Sequence, residues 1–222
     1  MRKVVFLLSI IIILLQGGCL SNRDYPQPAV PGDTTNPTHP SGDSISAGSL
    51  LISEFIAKAC PSSQVPCVPD NYAATVSVNG KWFELYNPTT KDIRLEAGHW
   101  FFTDSLGGPT KWPVVDTGFF VPAKGYAIVC TDNGNKAEIV NGKVVFHTSF
   151  SLSSGSGDIG VFYTKTVSGT PILVDGISYA PGSDKVPSYD GNIRNKSWGR
   201  VNGTASLLMG MSVPTPGAPN QP

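Results

Sequence analysis

From Ser49 onward the apolar residues come in short runs, each closed by Gly, Pro, Asn or Asp. Such runs predict strands near 50–57, 81–87, 99–103, 125–131, 143–147, 158–164 and 172–179, with a further one near 196–201. Turn signals separate them, among them Asn87-Pro88, Gly107-Gly108-Pro109, Asn133-Gly134, Asn141-Gly142, Pro181-Gly182 and Asp190-Gly191. Asn141-Gly142, set between AEIV and KVVF, is a type I′ hairpin signal, because both central residues of that turn need positive φ. No stretch repeats its apolar residues at the helical period. Short strands at this spacing predict an all-β chain folded as a β-sandwich.

Alternation within 81–87 puts Phe83 and Leu85 on one face and Trp82, Glu84 and Tyr86 on the other. The first pair suits a sandwich core. The second set is a candidate ligand patch, two aromatic rings flanking a carboxylate. Its alternative is a rim packed under a neighbouring loop, with Glu84 holding backbone donors or an arginine. Trp112, in the turn-rich Gly-Pro-Thr-Lys-Trp-Pro segment, joins the patch as a ring that a loop would hold outward.

The start of the chain has a different pattern. Arg2 and Lys3 precede VVFLLSIIIILL, an apolar run too short for a typical spanning helix but suited to the core of a secretory signal. Gly17, Gly18 and Cys19 follow, in a run that resembles a bacterial lipobox, with Leu15 one place early and Gln16 off the pattern. The resemblance implies that residues 1–18 are a cleaved signal peptide. Cys19 would then carry acyl chains that anchor the protein in the bilayer of a bacterial cell envelope. The alternative is an ordinary secretory signal with Cys19 incidental. Residues 19–48 hold Pro26, Pro28, Pro31, Pro37 and Pro40 and few large apolar side chains. They are expected to form a disordered tether before a domain at 49–220.

Charge then narrows the partners. Of 222 residues, 16 are basic and 16 acidic. Loss of Arg2 and Lys3 with the signal leaves a formal charge of −2. That balance argues against nucleic acid as a partner, since phosphate contacts need a cationic surplus. A basic face built from Lys81, Lys91, Arg94 and Lys111 would revive it.

The order of motifs resembles the lamin tail domain family. Leu51-Ile52-Ser53-Glu54-Phe55-Ile56 is similar to its opening strand, and Trp82-Phe83-Glu84-Leu85-Tyr86-Asn87-Pro88 to its "Phe-Ile-Glu-Leu-Tyr-Asn-Pro" motif. Ile93 to Trp100, Val121-Pro122-Ala123-Lys124-Gly125-Tyr126, Leu152 to Asp158 and Val174-Asp175-Gly176-Ile177-Ser178-Tyr179 follow in family order. The closing motifs are Ser197-Trp198-Gly199-Arg200 and Pro214-Thr215-Pro216-Gly217-Ala218-Pro219-Asn220. The resemblance implies an immunoglobulin-like sandwich and a binding or scaffolding role. Insertions at 58–80 and 131–143 are expected to lengthen loops.

Four cysteines are present. With Cys19 lipidated, Cys60 and Cys67 flank one loop of an exported chain and read as a disulfide, contributing about 2–3 kcal/mol; a metal site is the alternative. Cys130 lies in an apolar strand and reads as a buried thiol. As a nucleophile it would need His99 or His147, and no spacing brings either to it. No catalytic, phosphate-binding or EF-hand motif is present, and no cofactor is implied. Glu54, Glu84, Asp158 and Asp175 are read as acceptors for backbone amides at strand ends, with a calcium site or an acid/base pair as the alternative. The leading expectation is a non-catalytic, envelope-anchored interaction module for a protein or envelope polysaccharide. A carbohydrate-binding module using exposed Trp and Tyr is the alternative, followed by a hydrolase using Glu54 and Glu84 across an open cleft.

Overall fold

The computed structural model describes residues 45–58, 80–140, 142–194, 196–201, 206–211 and 214–220. Cys19, the signal, nearly all of the tether and the Cys60–Cys67 loop lie outside the described residues. Thirteen strands and no helix occur among those described. They are β1 (Leu51–Ile56), β2 (Trp82–Tyr86), β3 (Ile93–Arg94), β4 (Trp100–Thr103), β5 (Trp112–Pro113), β6 (Phe120–Val121), β7 (Tyr126–Cys130), β8 (Lys136–Val140), β9 (Lys143–His147), β10 (Gly157–Tyr163), β11 (Ile172–Tyr179), β12 (Trp198–Arg200) and β13 (Leu208–Gly210).

The strands form a seven-stranded sheet, β13-β12-β1-β2-β7-β9-β8, and a four-stranded sheet, β11-β10-β4-β5, with a β3-β6 ladder beside them. One core joins the inner faces of the two larger sheets. Ile52, Phe55, Phe83, Leu85, Val129 and Phe146 enter it from the first, and Trp100, Phe102, Trp112, Val161 and Ile177 from the second. Phe102 meets Phe83 edge-on at 5.8 Å and stacks on Trp112 at 5.5 Å. This is the β-sandwich arrangement predicted by the short alternating runs.

Strict alternation would not send both Ile52 and Phe55 inward, since they are three residues apart. A register shift between Ile52 and Glu54 solves this: Ile52 faces Leu85, and Glu54 faces Glu84. The extra residue, Ser53, makes a bulge that returns Phe55 to the core and leaves Glu54 on the outer face.

The outer face of the larger sheet is not bare. Trp82, Ile56, Ile128, Cys130, Val140 and Val145 form a second, smaller apolar cluster there. Both faces of β2 are therefore covered. The insertion at 131–143 is more than a lengthened loop, since it contains β8, the edge strand of the sheet. The β8–β9 hairpin closes with Val140 opposite Lys143, and Gly142 has the positive φ, 77°, expected of it. It folds back so that β9 lies parallel to β7.

The turn after β2 is held by a buried amide. Asn87 Nδ2 donates to the carbonyls of Lys91 (2.8 Å) and Val121 (2.9 Å), and its Oδ1 accepts Thr89 N–H (2.9 Å) and Thr89 Oγ1 (2.7 Å). Asn87 has no exposed surface. Asn87→Ala strands those groups and is expected to cost about 2 kcal/mol in urea unfolding. A change within about 0.5 kcal/mol would show that water replaces the amide.

Candidate functional site

Three of the four residues expected to form a ligand patch are inaccessible. Trp82 and Glu84 have no exposed surface, and Trp112 has 1%. Trp112 folds inward as part of β5, and its Nε1 donates to Asn135 Oδ1 at 2.7 Å. Trp100 and Trp198 are buried as well, so no tryptophan is displayed for stacking on a sugar. Period-2 alternation separates two faces but does not say that both are covered, and here the second cluster covers Trp82. Tyr86 alone of the four stays partly exposed, with its ring 4.9 Å from that of Tyr126.

Glu84 and Glu54 sit side by side on the outer face of β2 and β1, beneath the C-terminal Pro-Thr-Pro-Gly-Ala-Pro-Asn segment. Glu54 accepts Thr215 N–H (3.1 and 3.2 Å) and Thr215 Oγ1 (3.2 Å). Glu84 accepts Ser53 Oγ at 2.6 Å and the amide of Gly217. Asn220 completes the strap, donating to the carbonyls of Ser53 (2.8 Å) and Arg200 (3.1 Å) and accepting Thr215 Oγ1 (2.8 Å). The strap passes so close to β12 that a Cβ on Gly199 would lie 2.4 Å from Asn220 Nδ2. Burial pushes the Glu54 carboxyl up and the Glu84 carboxyl well above the usual range. This sealed pair has no open cleft for a substrate, which a two-carboxylate hydrolase requires.

Asp158 and Asp175 do not join the glutamates. Asp158 accepts Leu106 N–H (3.2 Å) and Ser178 Oγ (2.7 Å), and Asp175 accepts Ile52 N–H (2.7 Å) and Arg200 Nη2 (2.8 Å). All four acids accept backbone amides. Three of the four basic residues considered for nucleic acid are engaged too. Lys81 Nζ donates to Leu152 O at 2.6 Å, Arg94 pairs with Glu96 at 3.9 Å, and Lys111 pairs with Asp104.

Accessible chemistry lies beside the strap. A groove of about 440 Å³ is lined by Phe119, Phe120, Tyr126, Ile139, Lys124 and Lys143, with Gly217 of the strap at its edge. Phe120 is 40% and Ile139 65% exposed. Lys143 Nζ reaches Gly217 O at 3.4 Å. Burial, followed by the charge of Glu84, pushes the Tyr126 hydroxyl up to about 12, so it stays a neutral donor at physiological pH.

A further cluster was not legible in the sequence. The parallel pairing of β7 and β9 sets Cys130 directly beside His147. Asp132, just beyond β7, turns back so that its Oδ2 lies 2.7 Å from His147 Nδ1, and Glu138 Oε1 of β8 lies 3.0 Å from His147 Nε2. The His147 side chain is 3% and that of Asp132 6% exposed. Burial opposes the imidazolium, but the two carboxylates outweigh it and raise the His147 pKa. The Cys130 thiol is pushed well up by burial and by Asp132 and Glu138, so it is not an activated nucleophile. No protein-family model, curated protein or solved structure matches this chain.

Proposed function

We propose that this chain is an exported, non-catalytic binding module: a lamin-tail-type, immunoglobulin-like sandwich displayed from a bacterial envelope by acylated Cys19 and the 19–48 tether. A Cys60–Cys67 disulfide closes the loop between β1 and β2 in this reading. The ligand is an envelope protein or polymer, and it binds in the groove beside the strap. One observation carries this placement. The buried acids and tryptophans are consumed in internal contacts, whereas Phe120 and Ile139 present apolar surface next to two lysines. Exposed rings with polar neighbours in a concavity are the usual makings of a recognition site. Rigid sheet positions hold them, so little order is lost on binding.

Photo-crosslinking in intact cells tests both the placement and the role. A photoreactive residue at Ile139 is expected to give a discrete envelope adduct. The same residue at Val167, equally exposed at 66% but outside the groove, is expected to give none. Identical adducts from both positions, or none from either, would refute the groove. Mass spectrometry of the mature N-terminus in the same preparation checks the anchor, and an unmodified start other than Cys19 would refute lipidation.

A further inference from the structure

We propose that Cys130, Asp132 and His147 form a binding site for a divalent transition metal of the zinc class, with Glu138 orienting the imidazole. The three side chains offer one sulfur, one nitrogen and one oxygen, all within 4.8 Å of one another. A tetrahedral zinc ion with bonds of about 2.0–2.3 Å holds its ligand atoms slightly closer than this, within about 4 Å. Closing the site therefore takes a contraction of about 1 Å overall, together with opening of the 2.7 Å His147 Nδ1–Asp132 Oδ2 contact to about 3.3 Å.

The backbone prepares this convergence. Cys130 and His147 are register partners on adjacent parallel strands, so their side chains leave the sheet side by side. The loop after β7 then reverses tightly, with Asn133 at φ 65° and Asn135 at φ 51°. Gly134 lets it lie against the histidine, since a Cβ there would be 2.6 Å from His147 Cβ. That close approach brings Asp132 over the imidazole. Asp132 Oδ1 also accepts Gly134 N–H at 3.1 Å, which leaves Oδ2 directed at His147.

Two further observations point to a metal rather than to a polar core. Metal-bound histidines commonly pass their second ring N–H to a carboxylate, and Glu138 Oε1 stands 3.0 Å from His147 Nε2. The Cys130 sulfur is fully buried at the edge of the smaller apolar cluster, yet lies within 4.8 Å of the His147 and Asp132 donor atoms. The donor set also selects the ion. Calcium and magnesium require nearly all-oxygen shells, whereas mixed S, N and O ligands suit zinc and cobalt. Glu138, 27% exposed on the edge strand β8, is the most solvent-exposed member of the cluster. Binding converts the Cys130 thiol to thiolate and releases its proton to water. The site shares no residue with the groove lining and does not depend on the binding-module reading.

Cobalt titration of the purified, folded protein tests this. One equivalent of Co²⁺ is expected to give a thiolate-to-cobalt charge-transfer band that zinc abolishes. Cys130→Ser, with its fold checked by near-ultraviolet circular dichroism, is expected to lose the band. Glu138→Gln keeps all three ligands and is expected to weaken cobalt binding about 10- to 100-fold. Absence of the band in the wild-type protein overturns the proposal. So does a band that survives in Cys130→Ser, which would place the metal on the other cysteines.

Discussion

Arg200→Met is expected to lower the free energy of unfolding by about 3–5 kcal/mol, read from urea denaturation at neutral pH. Arg200 is 3% exposed, at the end of β12 in the larger sheet. Its Nη2 lies 2.8 Å from Asp175 Oδ2 on β11 of the smaller sheet, and its Nε donates to Ile52 O at 2.8 Å. The same Asp175 oxygen accepts Ile52 N–H at 2.7 Å. One ion pair thus ties β11, β12 and the start of β1 together. Methionine fills the volume but leaves a carboxylate with 12% side-chain exposure without this counter-charge, and Ile52 O without this donor. The loss comes mainly from that uncompensated charge. Adding Asp175→Leu is therefore expected to recover part of the stability, although Ile52 N–H then lacks its acceptor. A single-variant loss below about 1 kcal/mol would show that the sheets hold together without the pair.

The closing Ser-Trp-Gly-Arg motif illustrates what was legible in the sequence and what was not. Its place near the C-terminal end and a strand at 196–201 could be read directly. Its three jobs could not, because each depends on a partner far along the chain. Trp198 packs between Phe55 (5.9 Å) and Tyr189 (4.6 Å), Gly199 admits Asn220, and Arg200 reaches Asp175. The same limit applies to Cys130 and His147. Local periodicity reports which face a residue takes on its own strand, and register between strands is a separate variable. Sequential hairpin logic pairs β8 with β9, but only the tertiary structure sets β9 parallel to β7. Strands of two residues, such as β3, β5 and β6, are too short to show a period at all, so Trp112 looked like a loop ring when it is a core strand residue. Ser53 hides its bulge for a related reason. An extra residue in a strand disturbs alternation in the same way as the end of a strand would.

Glu84→Gln is expected to stabilise the protein at neutral pH and to flatten its stability profile between pH 5 and 8. Burial is the main reason the Glu84 carboxyl is held well above its ordinary value of 4.5, with Glu54 beside it pushing the same way and Lys143 opposing. The folded state therefore binds this proton more tightly than the unfolded chain does. The resulting stability is fully present below about pH 4.5 and is lost as pH rises through the folded value. Wild-type protein should then gain stability on mild acidification from pH 8 towards 5, before the paired surface acids begin to protonate. His147, also raised, contributes in the same direction, so the comparison with the variant isolates Glu84. Glutamine keeps an oxygen for the Gly217 amide and an amide group for Ser53 Oγ, and it is never charged. The gain at pH 7–8 should be on the order of 1 kcal/mol or more, because glutamine removes the cost of holding a charge in the buried site. It should shrink as pH falls and the wild-type carboxyl takes up its own proton. Thermal melts at pH 5, 6, 7 and 8 read both effects. A variant less stable than wild type at pH 8, with an unchanged slope, would mean that Glu84 holds the strap as a carboxylate. The C-terminal strap would then depend on a charge-assisted clamp rather than on a neutral carboxyl.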